Sequence, residues 1–405
     1  MAPPVGPGVG DQFPGRADGV RGSARDRLMK VSRALTKPSD PVVKVWDVAY
    51  IRFQKPDLGS MERYLRDFGL HLSARTADTI YMRGAGPTHH IYIAERGRRS
   101  QYLGLGFAAA DRTDLERIAT VPGASKIHAS PEPGGGQRVV LQDPSGFRVD
   151  VVWGMEELPE LPIRPPLPVN GPKHKVRVNR PQQTLIGPAG VYRLGHVVLQ
   201  SLEFFKTAAW YMNNFGLVPS DVLLLENHEP AVVFLRCNRG RVLTDHHTLV
   251  VSSGIQNALD HCAFEVPDLD AVANGAQWLQ HQGWRQSWGV GRHVLGSQIF
   301  DYQHDPFGTT MEHFADGDVF DEDYATGFHR LDKQGLYQWG PDLPKSFGAP
   351  SITPAKAVRL LTALAGRGEA SLARLSNLKK AMEAPARPWL GRSRRGTRAR
   401  WPSTS

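Results

Sequence analysis

The chain contains an internal repeat, and this repeat constrains the fold more than any other feature of the sequence. In each half, a strand-like segment precedes a helical stretch, which ends in Phe68-Gly69-Leu70 or in Phe215-Gly216-Leu217. Each half closes with an Asp-Pro-x-Gly turn, at Asp143-Pro144-Ser145-Gly146 and at Asp305-Pro306-Phe307-Gly308, before a last strand. The order β-α-β-β-β is met twice within each half. We therefore predict an α+β protein of two tandem modules, in each of which paired βαβββ units form a curved mixed sheet around a hollow.

Shifts in composition indicate the boundaries of these modules. The N-terminal module is predicted at 42–157 and the C-terminal module at 191–345. Residues 1–41, which are rich in Gly, Pro and Arg, are predicted to form a disordered lead. Residues 158–190 are dense in proline and lack periodicity, as is typical of a linker. Residues 346–405 are predicted to be helical first and then to form a basic, disordered tail.

The formal net charge of +9 suggests a nucleic-acid or membrane partner, but its distribution argues against both. Residues 1–40 carry +3 and residues 351–405 carry +10, so that 41–350 are left at −4. No apolar run approaches the roughly 18–20 residues of a membrane span. Cys237 and Cys262 are the only cysteines of the chain, which excludes a disulfide scaffold and indicates a reducing compartment. We therefore expect a cytoplasmic protein that binds neither nucleic acid nor a membrane.

Two histidines and one glutamate in strand-like segments of the second half are candidate metal ligands. His196 opens the first strand of that half, His261 lies within 259–264, and Glu312 lies within 311–314. A carboxylate among apolar neighbours is costly to bury unless it is paired or bound to a metal. Two His and one carboxylate leave positions of an octahedral ion open, as in non-haem Fe(II) oxygenases. Spacing alone also fits ordinary core histidines, so both readings stay open at this point.

These segments resemble the type I extradiol ring-cleavage dioxygenases of the vicinal oxygen chelate superfamily, which have two such modules and hold iron in the second. His196 in Arg193-Leu194-Gly195-His196 is similar to the first ligand of the family, and His261 is similar to the second, in a His-x-x-Phe strand. Glu312 is similar to the third, a few residues after the Asp-Pro-x-Gly turn. The intervals of 65 and 51 residues also resemble those of the family. The resemblance, over about residues 45–320, implies that these three residues bind Fe(II), with Mn(II) as an alternative.

The same resemblance assigns three further residues to the active site. The segment 291–302 resembles the Gly-Arg-His…Tyr segment of the family, which implies that His293 and Tyr302 line the substrate pocket. The acid–base histidine of the family precedes the second ligand by 14–15 residues, and both His246 and His247 fit this spacing. Adjacent residues of a strand face opposite ways, so only one of the two can face the metal. We favour His246, because the family usually has one histidine followed by a small or acidic residue.

The corresponding positions of the first module lack both imidazoles. Alignment of the repeat places Tyr50 and Gly104 at the positions of the two ligand histidines, and Asp150 at the position of the glutamate. We therefore predict that the first module binds no iron and serves as a scaffold.

The resemblance implies a homo-oligomeric enzyme that opens the ring of a catechol-type substrate beside its vicinal diol and inserts both atoms of O2. Two alternatives are a non-redox metal-dependent isomerase or lyase of the same fold, and a metal-free protein that binds an aromatic ligand. Relatives of the first kind commonly draw ligands from both modules, so Tyr50 and Gly104 argue against it. The full ligand set of the second module argues against the metal-free protein.

Overall fold

The structure is a computed structural model that describes residues 35, 37–184, 186–344, 354–366 and 368–383. Most of the predicted disordered lead, 1–41, and the predicted basic end of the tail lie outside these residues. Within the described ranges, no helix combines the length and apolar character that crossing a membrane requires.

The first sheet has eight strands and belongs to the N-terminal half of the chain. The strands are β1 (Asp47–Lys55), β2 (His71–Arg75), β3 (Thr79–Arg83), β4 (Tyr92–Arg96), β5 (Gln101–Ala108), β6 (His128–Ala129), β7 (Gln137–Gln142) and β8 (Arg148–Trp153). Their order in the sheet is β2-β3-β4-β1-β5-β8-β7-β6. Helix α1 (Leu58–Phe68) connects β1 to β2, and helix α2 (Thr113–Ile118) connects β5 to β6.

The second sheet has nine strands and belongs to the C-terminal half. The strands from 193 onward are β9 (Arg193–Ser201), β10 (Val218–Leu224), β11 (Pro230–Arg236), β12 (Thr244–Asp245), β13 (Leu249–Ser253), β14 (Ala258–Glu265), β15 (Arg285–Arg292), β16 (Ile299–His304), β17 (Thr310–Ala315), β18 (Val319–Phe320) and β19 (Gly327–Arg330). The sheet order is β15-β16-β17-β14-β9-β13-β11-β10-β19, while β12 and β18 pair separately. Helix α3 (Phe204–Phe215) follows β9, and helix α4 (Leu269–His281) follows β14.

The two sheets have the same strand succession, which confirms the predicted α+β fold of paired βαβββ units. Strands β10, β11, β13, β9, β14, β17, β16 and β15 correspond in order to β2, β3, β4, β1, β5, β8, β7 and β6. In each sheet the two βαβββ units meet at a central antiparallel pair, β1 with β5 and β9 with β14. Strand β19 pairs in parallel with β10 at the edge, and the described residues contain no counterpart of it in the first sheet.

Both repeated helices end at the glycine of the Phe-Gly-Leu motif. Gly69 after α1 has φ +108°, and Gly216 after α3 has φ +70°. Residues with a Cβ adopt this left-handed conformation only at a cost, so glycine is favoured as the helix stop. The preceding Phe68 and Phe215 are fully buried in the core that the two modules share.

The two Asp-Pro-x-Gly turns hold the modules to each other. The carboxylate of Asp143 accepts the backbone N–H of Phe147 in its own turn and, through Oδ2, the hydroxyl of Tyr211 in the second module at 2.9 Å. Asp305 likewise accepts backbone N–H groups of its own turn and forms a fully buried ion pair with Lys55 of the first module. Each turn therefore contacts the other module through one carboxylate.

The segment 158–190, predicted as a linker, contains neither helix nor strand in its described residues. It lies against the second module, where both guanidinium amines of Arg164 donate to Asp268 at 2.7 and 2.6 Å. Asp268 is also the N-cap of α4 and accepts the backbone N–H of Ala271.

The C-terminal segment forms two helices, α5 (Pro354–Ala365) and α6 (Leu372–Glu383), where the sequence predicted one helical stretch over 354–382. A turn that includes Gly366 and Gly368 separates them, because glycine weakens a helix interior. The carboxylate of Glu369 then caps α3 by accepting the backbone N–H groups of Phe205 and Lys206 at 2.7 and 2.9 Å. The segment is thereby fixed to the second module.

Helix α6 is anchored through a single buried arginine. Arg374 is 7% exposed and donates to Ser253 Oγ, to the carbonyl of Pro230 and to the carboxylate of Glu229. Its guanidinium also lies 5.5 Å from the ring centroid of Phe204. Residues at i+4 and i+8 share its face of the helix, so this anchor directs that face towards the second sheet.

Candidate metal centre

Three neighbouring central strands of the second sheet carry the predicted metal ligands on one face. His196 on β9 and Glu312 on β17 both lie opposite Ala263 on β14, the strand between them. His261 lies two residues before Ala263 on the same strand, so its side chain points to the same side. The small side chain of Ala263 leaves the space between the three ligands open.

The ligand atoms of these three residues are close enough to bind one ion. Nε2 of His196 and Nε2 of His261 lie 3.4 and 3.3 Å from Oε2 of Glu312. All three ligand atoms lie within 4.8 Å of one another, and the three residues are 2%, 8% and 0% exposed. The next residue, His313, faces the opposite side and donates to the carbonyl of Phe68 at 2.7 Å.

The hydrogen bonding of Glu312 fits a bound cation. Burial raises the pKa of Glu312, but the imidazoles of His196, His261 and His293 around it more than reverse this effect and hold the pKa well below its usual range. The carboxylate is therefore ionised, yet in the part of the chain that the structure describes neither oxygen accepts a hydrogen bond of good geometry. A buried anion without donors is unfavourable, and a divalent cation beside two imidazoles would compensate it.

A second carboxylate orients the ligand His261. Oδ1 of Asp260 lies 2.8 Å from Nδ1 of His261, and Oδ2 of Asp260 accepts the side-chain amide of Gln200 at 2.8 Å. Because a carboxylate only accepts, Nδ1 of His261 carries the proton and Nε2 is left for the ion. Sequence reasoning gave Asp260 no role, although its position directly before the ligand histidine is visible in the chain.

The adjacent histidines His246 and His247 lie in the short segment between β12 and β13 and point in opposite directions. His247 lines the cavity at the metal site, and its ring centroid lies 4.1 Å from that of His196. His246 points away from the cavity, and its Nε2 lies 2.6 Å from the carboxylate of Asp221. The sequence favoured His246 as the residue that faces the metal. The structure turns His247 to that side instead.

Burial and the neighbouring imidazoles of His196 and His246 hold the pKa of His247 well below its usual range. His247 is therefore neutral at physiological pH and able to accept a proton. Nothing in the residue spacing separates the two histidines, because both fall at the family interval.

His293 and Tyr302 lie together on the other side of the metal site. Nδ1 of His293 lies 2.7 Å from the carbonyl oxygen of Leu336, so this nitrogen is the donor. Nε2 of His293 lies 2.9 Å from the hydroxyl of Tyr302. Burial and the charge of Glu312 raise the pKa of Tyr302 well above its usual range, so the phenol keeps its proton. Both residues line the cavity, where the sequence predicted them.

A cavity of about 420 Å³ opens above the metal ligands. Its polar lining includes the candidate metal ligands and, towards the C-terminal helix, Ser252 and Ser253, while apolar side chains from the neighbouring strands and the C-terminal segment form most of the rest. The apolar lining residues are Val198, Leu223, Val232, Phe234, Val250, Trp288, Leu295, Leu331, Leu336, Leu343, Leu378 and Met382. None of the described lining residues is a lysine or an arginine.

At the corresponding position of the first sheet, side chains form hydrogen bonds with one another. The hydroxyl of Tyr50 donates to Oδ2 of Asp150 at 2.6 Å, and Arg148 pairs with the other oxygen of Asp150 at 2.7 Å. Gly104 lies against the carbonyl oxygen of Arg148, which is 1.9 Å from the position that a Cβ would take. These contacts give the carboxylate of Asp150 hydrogen bonds of good geometry, which Glu312 does not receive from the described residues.

Comparison with known proteins agrees with this fold and this site. The family model of the Glyoxalase/Bleomycin resistance protein/Dioxygenase superfamily matches residues 193–313. The chain is 30% identical to Metapyrocatechase 2 of Cupriavidus necator over 320 residues, which cover 78% of this chain and 95% of that protein.

Two solved structures share the fold. The Mn(II)-bound glyoxalase from Novosphingobium aromaticivorans has a TM-score of 0.64 at 21% identity, with 77% of this chain and 96% of that chain covered. Homoprotocatechuate 2,3-dioxygenase from Arthrobacter globiformis has a TM-score of 0.63 at 19% identity, with 78% of this chain and 95% of that chain covered.

Proposed function

Because the chain belongs to the extradiol ring-cleavage dioxygenases of the vicinal oxygen chelate fold, we propose that His196, His261 and Glu312 hold its catalytic metal as Fe(II). The enzyme opens the aromatic ring of a catechol beside the two hydroxyl groups and incorporates both atoms of O2. The ionised, buried carboxylate of Glu312, with two imidazole nitrogens at 3.3–3.4 Å and no hydrogen bond from the described chain, carries the assignment of the ligands.

The donor set of two imidazoles and one carboxylate suits Fe(II), and Mn(II) is the alternative ion that the same donors can hold. When bound, the metal supplies open coordination positions for the catechol oxygens and for O2, so that both substrates meet in one place. The protein contributes the dry cavity, the orientation of the ligands and the groups that move protons.

His247 is the proposed acid–base residue. The catechol has to give up hydroxyl protons on binding, and a neutral imidazole that faces the cavity at the metal ligands is placed to take one. The position of His247 in the cavity lining and its contact with His196 support this role over His246. Removal of such a residue typically costs about 10²–10⁴-fold in rate.

His293 and Tyr302 are proposed to position the substrate. The hydroxyl of Tyr302 lies 2.9 Å from Nε2 of His293, and both residues line the cavity beside the candidate metal ligands. The rings of Tyr302 and Trp288 are stacked with centroids 5.6 Å apart, which fixes the plane of the tyrosine. Such fixed polar groups align the diol for reaction.

We propose that the substrate is a catechol with an uncharged, apolar substituent. From β9 the cavity continues over β13 and β11 to β10, three strand spacings or roughly 14 Å, along the apolar side chains of Val250, Val232 and Leu223. Leu378 and Met382, at i+4 and i+8 from the anchor Arg374, form the far wall. A carboxylate substituent would be buried there without a cationic partner, which is costly.

Ring cleavage by the Fe(II) enzyme tests the proposal. The enzyme is loaded with Fe(II) under anaerobic conditions and mixed with a panel of catechols that carry alkyl, aryl or carboxylate groups. Oxygen uptake and the absorbance of the ring-opened product are then followed. We expect one O2 per product and a preference for apolar substituents. Oxygen uptake without ring opening, or a preference for carboxylated catechols, would contradict the proposed chemistry or the proposed substrate class, respectively.

Metal analysis of variants tests the ligand set separately. His261→Ala should lose stoichiometric iron and activity together, while His128→Ala, which removes an exposed histidine of the first module, should keep both. Full iron content in His261→Ala would overturn the assignment of this ligand.

We also propose that the enzyme acts in the cytoplasm as a homo-oligomer. Cys237 and Cys262 are both buried free thiols, which supports a reducing compartment. On α5, Val358 and Leu361 are 61% and 65% exposed and are neighbours on one face of the helix, which supports a contact between copies of the chain. Light scattering of the purified enzyme, with Val358→Ser/Leu361→Ser as the comparison, should give an oligomer that the double substitution weakens. A monomer in the wild type would refute the assembly.

A further inference from the structure

A chain of hydrogen-bonded side chains runs from the metal site to the surface of the second module. It starts at His247 in the cavity, whose Nδ1 lies 2.8 Å from Nδ1 of His246. Nε2 of His246 lies 2.6 Å from Oδ2 of Asp221, and Oδ1 of Asp221 lies 2.7 Å from Nε2 of His329. The ligand assignments of the metal do not involve His246, Asp221 or His329.

The chemistry of these groups fixes which atoms carry protons. Asp221 is ionised and only accepts, because the hydrogen bonds from His246 and His329 outweigh the rise in its pKa that burial causes. Nε2 of His246 must therefore be the donor, and its Nδ1 is an acceptor in the neutral ring. His247 then donates through Nδ1, which leaves its Nε2 without a proton. Through the hydrogen bonds Asp221–His246 and His246–His247, Asp221 thus favours the Nδ1–H tautomer of His247, which a base at the cavity needs.

The middle of this chain is shielded from water, and only its outer end is open. His246 and Asp221 are 1% and 2% exposed, while the side chain of His329 is 44% exposed. The rings of Phe234 and Phe320 lie 5.4 and 5.5 Å from that of His246 and cover it. Hydrogen bonds between such groups are stronger than in water, because the local dielectric constant is low.

Strand β19 supplies His329, the outer end of the hydrogen-bonded series, and Gly327 on the same strand leaves room for the contact of His329 with Asp221. Gly327 is the neighbour of Asp221 in the parallel pairing of β19 with β10. A Cβ at Gly327 would lie 2.1 Å from Oδ1 of Asp221 and 2.7 Å from Nε2 of His329. The absence of a side chain at this position therefore permits the contact between the two residues.

The first module contains the same histidine pair without the rest of the chain, and so serves as an internal comparison. His89 and His90 occupy the places of His246 and His247, with their Nδ1 atoms 3.1 Å apart. The partner of His89 is the hydroxyl of Ser73 at 3.1 Å, where the second module has a carboxylate. The first sheet also ends without a strand that corresponds to β19. The carboxylate and the surface histidine thus accompany only the module that carries the metal ligands.

We propose that Asp221 and His246 are positioning residues that hold the ring of His247 in the Nδ1–H tautomer and leave its Nε2 as an acceptor at the cavity. His329 orients Asp221 from the solvent side. This inference rests on the proposed role of His247 as the base. The hydrogen bond between the two Nδ1 atoms fixes the orientation of the His247 ring, and the contact with Asp221 fixes the ring of His246 in turn.

The first test is a measurement of tautomers that needs neither metal nor activity. Long-range ¹H–¹⁵N spectra of the histidine-labelled apo chain should assign the Nδ1–H tautomer to His247 and the Nε2–H tautomer to His246 in the wild type. Asp221→Asn should change the tautomer signals of both rings, and Arg330→Ala on the exposed side of β19 should leave them as they are. An Nε2–H tautomer of His247 in the wild type would overturn the proposal.

The second test uses the Fe(II) enzyme and a catechol that the wild type cleaves. Asp221→Asn should lower kcat by about tenfold or more, with KM within about twofold, because His247 is no longer held in the Nδ1–H tautomer while substrate binding is untouched. Asp221→Glu should recover part of kcat, and His329→Ala should fall between the wild type and Asp221→Asn. Wild-type kcat in Asp221→Asn, or an equal loss in kcat and in catechol affinity, would refute the positioning role. Ring cleavage by the wild type tests the proposed function itself, so the two failures are distinguishable.

Discussion

Asp260 holds the imidazole of its neighbour His261 through a hydrogen bond of 2.8 Å between Oδ1 and Nδ1. The contact joins consecutive residues of one strand, whose side chains ordinarily point apart. It is possible here because β14 has an irregular register with β9 between Leu259 and His261. A local irregularity of the strand therefore determines that Nε2 of His261 faces Glu312.

The substitution Asp260→Asn should weaken metal binding without unfolding the protein. An asparagine can still contact Nδ1 of His261, but the ligand loses the negative charge that increases its basicity. We expect a loss of about 10–100-fold in metal affinity, measured by titration of the apo enzyme with Fe(II) against a competing chelator. Asp78→Asn, at an exposed carboxylate of the first module, is the control. Unchanged affinity in Asp260→Asn would show that this hydrogen bond does not tune the ligand.

The substitution His247→Ala should abolish most of the activity while the iron content stays stoichiometric. The lost base is expected to lower kcat by about 10²–10⁴-fold, measured as the initial rate of oxygen uptake at saturating catechol. His90→Ala, at the equivalent position of the first module, is the matched control and should keep its kcat. If His246→Ala were the more damaged variant at saturating substrate, the assignment of the two histidines would have to be exchanged.

The far wall of the cavity should set the size of the substituent that the enzyme accepts. A tryptophan in place of Leu378 fills the end of the cavity that α6 forms. We expect Leu378→Trp to lower kcat/KM for a catechol with a long alkyl chain by about tenfold or more, since a lost hydrophobic contact of a few methylene groups costs about 1–3 kcal/mol. Unsubstituted catechol should be affected much less. Leu372→Trp on the same helix, where the side chain is 75% exposed, is the control. Equal losses for both catechols would place Leu378 away from the substituent.

A buried cluster in the first module should stabilise the fold in a pH-dependent way. Burial raises the pKa of Glu132, but hydrogen bonds from Arg138 and Ser130 and the charge of Arg52 outweigh it and lower the pKa to about 2. Since the folded pKa lies below the ordinary value of 4.5, the stabilisation is complete above that pH and is lost as pH falls towards 2.

The substitution Glu132→Gln should therefore cost about 3 kcal/mol of unfolding free energy near neutral pH, and the difference from the wild type should shrink below pH 4.5. Urea denaturation of the apo protein at several pH values measures it. Glu95→Gln removes the half-exposed partner of Arg52 and should cost about 1 kcal/mol or less. A pH-independent difference for Glu132→Gln would show that Glu132 is not ionised in the folded protein.

The fold and the candidate ligands could largely be predicted from the sequence, because repeated motifs mark the two modules and the candidate ligands occur at characteristic intervals. The Phe-Gly-Leu and Asp-Pro-x-Gly motifs mark the same points of both modules, and the structure gives both modules the same strand succession. His196, His261 and Glu312 lie on strands whose order follows from that succession. Their convergence is therefore a consequence of the fold class.

The sequence could not decide which of His246 and His247 faces the candidate metal site, because both lie in the connection between β12 and β13, whose path depends on contacts with distant residues. It also gave no sign of the contact between Asp221 and His329. These residues are 108 positions apart, and β19 is a short strand with a largely exposed pattern, which no periodicity marks. The packing of α6 against the second module could not be predicted either, because it depends on Arg374, whose hydrogen-bond partners are distant in the sequence.

The crossed contacts of the two Asp-Pro-x-Gly turns have a consequence for how this enzyme can be divided. Asp305 of the second module needs Lys55 of the first, and Tyr211 of the second needs Asp143 of the first. Separation of the two modules would expose both pairs and leave Lys55 and Asp305 without their counterions. We therefore expect the pair of modules to be the smallest unit that folds on its own. The first module, which lacks the candidate ligands, supplies contacts that the second module needs.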